Sequence, residues 1–235
     1  LGIEIETTKG LRFRELYEVN ETACQFFGQC LDKDIGRRGR EYLERRKLVM
    51  DKLKEFRLGY APSSGGLVTF MRQKGFSVDR LHQVGLVSTN REMFRDRVMF
   101  PIFNLSGRIT GFGGRAIDDY VQPKYLNTQE TPIFRKGEGL YGLYQSKERA
   151  RSRNEVLLVE GYFDLLSIFQ HGFDNTCAPL GTSLTEQQAV LLARYAKKVV
   201  ILFDGDLSGI KAALRAIGLL INAQVDVYVA LLPQD

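Results

Sequence analysis

Apolar residues follow two different rhythms along this chain, and the change between them falls near residue 95. Before it the spacing is helical. Leu16, Val19, Ala23, Phe26 and Phe27 recur every three or four residues, which predicts an amphipathic helix over Leu11–Cys30 with the Tyr17, Phe26 and Phe27 stripe in the core. Gly36 and Gly39, set among basic residues, predict a loop over Asp34–Arg40, with a short charged helix over Glu41–Lys47. Another helix is expected over Asp51–Phe56, stopped by Gly59-Tyr60-Ala61-Pro62. Ser63–Gly66 reads as a turn. Two short helices then follow, Leu67–Gln73 and Val78–Val84, the second capped by Ser77 and closed by Gly85.

After that point the pattern turns to strand. Arg97–Asn104 and Arg108–Ile117 flank a short Asn104–Gly107 turn and predict a β-hairpin, in which Pro101 demands an exposed edge or a bulge. Irregular sequence leads to Gln145–Asn154, a charged surface helix joining two units. From Glu155 the chain alternates strand and helix: VLLVEG then YFDLLSIFQHG, NTCAPLG then SLTEQQAVLLARYAKK, VVILFDGD then LSGIKAALRAIGLLINAQ, and finally DVYVALLP. Val156–Val159 and Val199–Phe203 are unbroken apolar runs, as strands buried on both faces are. The expected fold is therefore α/β: a mixed α+β N-terminal subdomain with a β-hairpin over residues 1–150, then a doubly wound parallel sheet over 151–235 that stops short at its C-terminal end. Gly161, Gly172, Gly181 and Gly205 fall where strands and helices exchange, as tight turns require.

Candidate chemistry sits at the ends of those two strands. Glu160 and Asp164 follow the first, and Asp204 and Asp206 follow the second. Ligand sites of open α/β sheets lie outside the carboxyl ends of the strands, so the acids meet on one rim if the two strands are neighbours. Two carboxylates about 4 Å apart repel by about 4 kcal/mol at an effective dielectric near 20, enough to protonate one or to recruit a divalent cation. With no Cys or His in either motif, the oxygen-only donors favour Mg²⁺ or Mn²⁺ over Zn²⁺. A lone acid beside a helix start merely favours the macrodipole, and Asp-Gly-Asp is common in turns. The coincidence of both, on two strands of one repeating unit, tips the reading toward a site.

Charge distribution adds a second candidate. The formal charge is +5, but Arg and Lys concentrate between Arg37 and Arg57 and again between Arg91 and Arg153, upstream of the acids. Arg97, Arg115, Lys124 and Lys136, interleaved with Tyr125, Asn127 and Phe134, resemble a groove that tracks phosphates; the Arg37–Arg46 run reads as a solvated face. The glycines of Gly111–Arg115 lie in a hairpin, not between strand and helix, so they are no dinucleotide fingerprint, and no Walker A sequence occurs. Cys24, Cys30 and Cys177 have neither the spacing nor the histidines of a zinc site and read as small buried hydrophobes; His82 and His171 read as capping or surface residues. No apolar stretch reaches membrane-spanning length and no signal peptide is evident, which predicts a cytoplasmic protein. Leu1 is not an initiator methionine and Asp235 follows a strand with no closing helix, so both ends read as cut from something longer.

The acidic pattern Glu160-Gly-Tyr-x-Asp164, followed by Asp204-Gly-Asp206, resembles the TOPRIM module shared by bacterial primases, topoisomerases and some nucleases. Upstream, RDRVMFPI (Arg95–Ile102), GFGGR (Gly111–Arg115), PKYLN (Pro123–Asn127), FRKG (Phe134–Gly137) and LYGLY (Leu140–Tyr144), with the GYAP and PLGTSLT stretches, resemble the RNA-polymerase domain of bacterial replicative primases of the DnaG type over nearly the whole chain. That resemblance implies template-directed synthesis of short RNA primers on single-stranded DNA. It assigns Glu160, Asp204 and Asp206 as ligands of two Mg²⁺ (or Mn²⁺) ions, with Asp164 supporting the cluster; Glu160 could equally serve as a general base. Arg97, Arg115, Lys124, Asn127 and Lys136 are then expected to hold phosphates of template or nucleoside triphosphate. Implied partners are single-stranded DNA, ribonucleoside triphosphates and, through a carboxy-terminal domain outside this chain, a replicative helicase. Zinc is expected only in an amino-terminal module outside this chain, and the chain itself is expected to be a monomer away from membranes, at the replication fork. One departure stands out: the family's further Asp-Pro-Asp pair is missing, because the chain stops at Asp235. Competing readings are a TOPRIM nuclease or topoisomerase fragment, which DNA cleavage would reveal, and a non-catalytic nucleic-acid-binding module, which metal titration would reveal.

Overall fold

The computed structural model describes residues 8–89 and 91–230. They fall into two compact units, one within Leu1–Tyr42, Arg57–Ile102 and Arg108–Phe134, the other within Leu43–Phe56, Phe103–Gly107 and Arg135–Asp235.

In the first unit, α1 (Thr8–Asp32) covers the predicted amphipathic helix and extends it at both ends. Leu16, Val19, Ala23 and Phe27 are buried as the spacing required, and Phe27 meets Phe112 edge to face at 5.4 Å. Tyr17 departs from the expected core stripe: it is half-buried, with the Arg108 guanidinium 5.2 Å above its ring. The predicted loop over Asp34–Arg40 is a 3-10 turn (Asp34–Gly36) running straight into α2 (Arg37–Arg45). Two features explain that difference. Arg40 donates to the Leu31 carbonyl at the end of α1 and to the Lys33 carbonyl just beyond it, and Arg37 pairs with Glu41 one turn on at 2.8 Å.

The expected breaker at Gly59 is also a strand. β1 (Gly59–Ala61) is followed by α3 (Leu67–Gln73) and α4 (Val78–Gln83), then by the two-residue strands β2 (Val87–Ser88) and β3 (Arg91–Glu92). Both helices sit where the periodicity puts them, and Ser77 accepts from the Arg80 N–H as the N-cap. The hairpin is β4 (Arg97–Phe103) and β5 (Ile109–Ala116), with β6 (Tyr125–Asn127) beyond it, in the sheet order β1-β4-β5-β6. β1 pairs antiparallel with β4 and ends opposite Met99, so Pro101 falls past the paired stretch. Its missing N–H therefore breaks no bond to β1, although the residue is buried and the expected exposure is not there. Gly59 is demanded by approach, not by a turn: a Cβ there would lie 2.6 Å from Phe27 Cβ, so only glycine lets the strand run this close to α1.

The second unit takes in a 3-10 stretch, Met50–Phe56, where the sequence predicts a short helix. Its main body begins with α5 (Leu143–Arg153), two residues earlier than expected and carrying a buried face of Leu143, Gln145, Ser146 and Ala150. The predicted alternation follows as β7 (Glu155–Val159), α6 (Tyr162–Gln170), β8 (Thr176–Cys177), α7 (Glu186–Ala193), β9 (Lys198–Leu202), α8 (Leu207–Asn222) and β10 (Asp226–Val229). The sheet is parallel throughout, ordered β10-β9-β7-β8. Val156, Leu158, Val199 and Ile201 fill its centre against Leu192, Ala213, Ala216 and Leu220. Two elements are shorter than predicted. β8 has two residues, and α7, fixed at its start by a capping box of Thr185 and Gln188, stops at Ala193. The tail of the last predicted strand, Leu231–Pro233, lies outside the described residues. Cys24, Cys30 and Cys177 are free thiols and buried, as the sequence implies.

Candidate active site

β7 and β9 are direct neighbours, in register from Glu155 opposite Lys198 to Val159 opposite Leu202. The chain leaves both strands at the same end of the sheet, and Glu160 and Asp204 emerge within two residues of those ends. This is the adjacency on which the sequence argument depended. It is closed by a hydrogen bond, with Glu160 Oε1 accepting from the Asp204 N–H at 2.7 Å.

Each acid has its own surroundings. Glu160 is partly buried, and desolvation pushes its carboxyl upward; the Asp204 N–H pulls it back, while the charges of Asp204, Asp164 and Asp206 raise it again. Asp164, in the first turn of α6, is also raised, first by desolvation and then by Asp204, against a Gly161 backbone hydrogen bond and the positive charge of Arg46. Its side chain reaches solvent, but protein packed around the carboxyl still strips enough water to favour the neutral form. Asp204 is exposed. Asp206 is the N-cap of α8, its Oδ1 accepting from the Gly209 N–H at 2.7 Å. The two aspartates thus divide their work: one caps the helix, the other faces outward.

Gly209 and Arg46 complete this rim, and sequence reasoning assigned a role to neither. A Cβ on Gly209 would stand 2.2 Å from the Asp204 carbonyl oxygen and 2.7 Å from Glu160 Oε1. Only glycine lets the first turn of α8 close over both acids; the Asp-x-x-Gly spacing of an N-cap was the available signal. Arg46 lies with its guanidinium 5.3 Å from the Phe163 ring, beside Asp164, so one member of the basic run does more than solvate a face.

The donor chemistry of the rim, carboxylate oxygens raised partly by one another, fits a hard divalent cation. The side chains as they stand do not form a finished cage: among the described residues no three acidic, histidine or cysteine side chains gather as a metal-binding group. One oxygen of Glu160 and one of Asp206 are occupied by backbone N–H groups, so the oxygens that could hold a cation are the other one of each, with those of Asp204.

The basic candidates divide by burial. Arg97 is buried and donates to the carbonyls of Gly114 and Lys124, each at 3.3 Å; burial first, and then the charge of Arg115, lowers its pKa. Arg115 is fully buried between the rings of Tyr42 and Tyr125, each 5.4 Å away, and donates to the Ala116 carbonyl and to Asp119. Both arginines therefore brace β5 and β6 from inside. Asn127 lies on β6 opposite Gly113 and is half-buried. Lys124 is half-exposed at 51%, with Asp119 only at 4.0 Å. Phe134 is core, not a stacking surface, whereas Tyr125 keeps 41% of its area in solvent. Lys136 belongs to the second unit, partly exposed, and its carbonyl accepts from Gln188. His82 and His171 each contact a nearby backbone carbonyl, those of Thr89 and Ser167, as peripheral residues.

Comparison with known proteins agrees with this layout. The family model described as "DNA primase catalytic core, N-terminal domain" matches residues 26–147, and a Toprim domain model matches residues 154–231. The chain is 40% identical over 237 residues to a DNA primase of Aquifex aeolicus and 42% identical over 246 residues to one of Deinococcus radiodurans, with 99% of this chain covered in each case. It spans 47% and 41% of those relatives, less than half their length. Among solved structures, the zinc-binding and RNA polymerase domains of the Aquifex aeolicus primase superpose with a TM-score of 0.89 at 40% identity, covering 100% of this chain and 58% of that one. A DnaG primase catalytic domain bound to single-stranded DNA gives 0.85 at 35% identity, covering 94% and 72%. The two matched segments, one over each half of the order read from the sequence, establish that this chain belongs to the DNA primase catalytic core family, its N-terminal domain joined to a Toprim domain.

Proposed function

We propose that this chain is the catalytic part of a primase, joining ribonucleotides into short RNA primers on a single-stranded DNA template. The observation that carries the reading is the neighbouring pair β7 and β9, which brings Glu160, Asp204 and Asp206 to one rim with Glu160 hydrogen-bonded to Asp204. Family membership supports it, as does the relative solved with single-stranded DNA.

Residues 151–235 form the catalytic part of this proposal and residues 1–150 the basic, template-handling part. Glu160, Asp204 and Asp206 would hold Mg²⁺ or Mn²⁺, two ions in the full reading, and Asp164 supports the cluster. Bound there, a cation supplies charge neutralisation at the reacting phosphate and a lowered pKa for the attacking hydroxyl. The chain's own contribution is orientation. Asp204 N–H fixes one oxygen of Glu160, so the other is presented in a set direction, and the raised pKa of that carboxyl suits it to hold or release a proton. Lys124, Asn127 and Lys136 contact phosphates of template or nucleotide, while Arg97 and Arg115 act indirectly by holding β5 and β6 in place. No described helix is long and apolar enough to cross a membrane. The place of work in this proposal is a replication fork in the cytoplasm, beside a helicase.

The test is direct. The chain, extended to the length of its relatives, is incubated with single-stranded template, ribonucleoside triphosphates and Mg²⁺ or Mn²⁺. Template-dependent short RNA is expected, and Glu160→Gln should abolish it while leaving template affinity nearly intact. DNA cleavage without RNA synthesis would overturn the reading in favour of a nuclease.

A further inference from the structure

Two adjacent acids in the connection between β5 and β6, within the first unit, have unlike surroundings. Asp118 is anchored. The Arg38 guanidinium donates to both of its oxygens, at 2.8 and 2.9 Å, and the Tyr120 hydroxyl donates to it at 2.9 Å. Arg38 also bonds Asp96, and the Ile117 N–H donates to the Asp96 carbonyl, which pins the base of the connection to the residue before β4. Asp119 faces other cations: its Oδ1 accepts from Arg115 Nη2 at 2.7 Å and lies 4.0 Å from Lys124 Nζ. The ends of this bridge are opposites, since Arg115 is fully buried whereas the Asp119 side chain is 82% exposed. Tyr42 and Tyr125 flank the guanidinium and the Ala116 carbonyl takes one of its N–H groups, but among the described residues Asp119 is the carboxylate that meets its charge.

We infer that Asp119 is a built-in competitor for the phosphate that Lys124 contacts: its carboxylate stands where a phosphate oxygen goes, between Lys124 and Arg115, and binding moves it aside. The inference rests on the phosphate contact proposed for Lys124 and deepens it. Because the Asp119 side chain is so exposed, its carboxylate can leave the bridge without uncovering apolar core, while Arg38 keeps its hold on Asp118 and so keeps the connection close. Arg115 retains its two rings and the Ala116 carbonyl throughout, and with them its bracing role. A phosphate offers the same chemistry as the acid it replaces, anionic oxygens that accept from a guanidinium and an ammonium. The competitor matters most when the ligand departs. A buried guanidinium left with an open N–H is costly, so a phosphate seated there alone leaves slowly; an acid that returns to the same N–H as the phosphate goes removes that cost. The grip becomes one that can be released and renewed.

Fluorescence anisotropy with a labelled oligothymidylate, and calorimetry with ATP and Mg²⁺, test this on the present chain. Asp119→Asn removes the charge but keeps an oxygen to accept from Arg115, and Asp119→Ser is a second variant that removes it with a smaller side chain. Each should bind the strand, the nucleotide or both roughly two- to fivefold more tightly, the scale of an exposed ion pair, and the ligand that gains identifies whether the phosphate belongs to template or nucleotide. Asp119→Glu, which keeps the charge, should stay near the wild type. Asp79→Asn, at an exposed acid of α4, removes the same formal charge elsewhere in the unit and should also stay near the wild type. In a Lys124→Ala background the gain from Asp119→Asn should shrink, because both residues act on one phosphate. Unchanged affinity for both ligands in Asp119→Asn and Asp119→Ser would overturn the inference, as would an equal gain in Asp79→Asn or a full gain without Lys124. Failure of the primase reading looks different: the gain in Asp119→Asn would stand, but the extended wild-type chain would make no RNA on a template.

Discussion

Glu160 answers to opposite influences through one carboxyl group. Its hydrogen bond from Asp204 favours the charged form, while desolvation and three neighbouring acids favour the neutral one, and the balance is a raised pKa. The consequence for stability follows from proton linkage. A carboxyl that holds its proton more tightly in the folded state stabilises that state least at neutral pH, and stability falls as pH rises from the unfolded value, about 4.3, through the folded one. Glu160→Gln keeps an oxygen to accept from Asp204 while removing the charge. Without divalent cations it should therefore be more stable than the wild type at pH 7, with the advantage fading to nothing below about pH 4. Denaturant unfolding across that range checks it; a mutant no more stable at pH 7, or an advantage independent of pH, would contradict the assigned balance. With cations the order reverses in kind, since the same charge becomes useful. Asp204→Asn, which removes the outward-facing acid, should weaken Mn²⁺ binding measured by calorimetry, and unchanged affinity in a folded mutant would remove Asp204 from the proposed ligand set.

At the scale of the element, α8 is held to the rim by the absence of one atom. Gly209 leaves room for the Asp204 carbonyl and for Glu160 Oε1, where a Cβ would intrude to 2.2 and 2.7 Å. Gly218, farther along the same helix, would meet nothing within 4 Å. Gly→Ala in a helix ordinarily gains about 0.5–1 kcal/mol, so Gly218→Ala should stabilise by about that amount. Gly209→Ala should instead cost about 1–3 kcal/mol, as overpacking does, and should weaken metal binding by displacing the first turn of α8. Equal effects at the two sites, read from thermal unfolding, would show that the close approach is not limiting. The contrast also marks what the sequence discloses. Unbroken apolar runs identify β7 and β9, and Ser77 and the Leu67 and Val78 starts locate α3 and α4, because burial and capping leave their own residue types at fixed intervals. The same letter, glycine, marks Gly59, Gly36 and Gly209: at Gly59 and Gly209 the close neighbours include Phe27 and Glu160, distant in sequence, and at Gly36 they are the backbone of Cys30 and Leu31, a tight fold-back at the end of α1 that composition alone does not distinguish from a loop. Reading Gly59 as a breaker and Gly36 as a loop follows from that ambiguity. Burial of Arg97 and Arg115 was hidden for a related reason: charged residues read as surface until the carbonyls and rings that receive them are known.

For the molecule as a whole, a net charge of +5 overstates the positive surface on offer to a nucleic acid. Many of its arginines are already committed: Arg38 to Asp96 and Asp118, Arg57 to Glu21, Arg80 to Glu15, and Arg149 and Arg153 to Asp174. Arg97 and Arg115 are spent inside the first unit. Affinity for single-stranded DNA should then rest on fewer cations than composition suggests, and Lys124, half-exposed and only distantly paired, is the strongest candidate among those named from the sequence. Each phosphate contact on a single strand contributes about 0.7 to the slope of log K against log salt, so Lys124→Ala should lower affinity and flatten the slope by about that amount without changing sequence preference. Arg153→Ala is the matched comparison. It removes the same formal charge from a side chain held by Asp174 at 2.7 Å, and should leave the slope close to that of the wild type. A slope that drops equally in both mutants would mean that diffuse charge, not a contact at Lys124, draws the strand; a slope unchanged in both would move the template path away from β6 and toward the exposed members of the Arg37–Arg46 run, where Arg46 already stands beside Asp164.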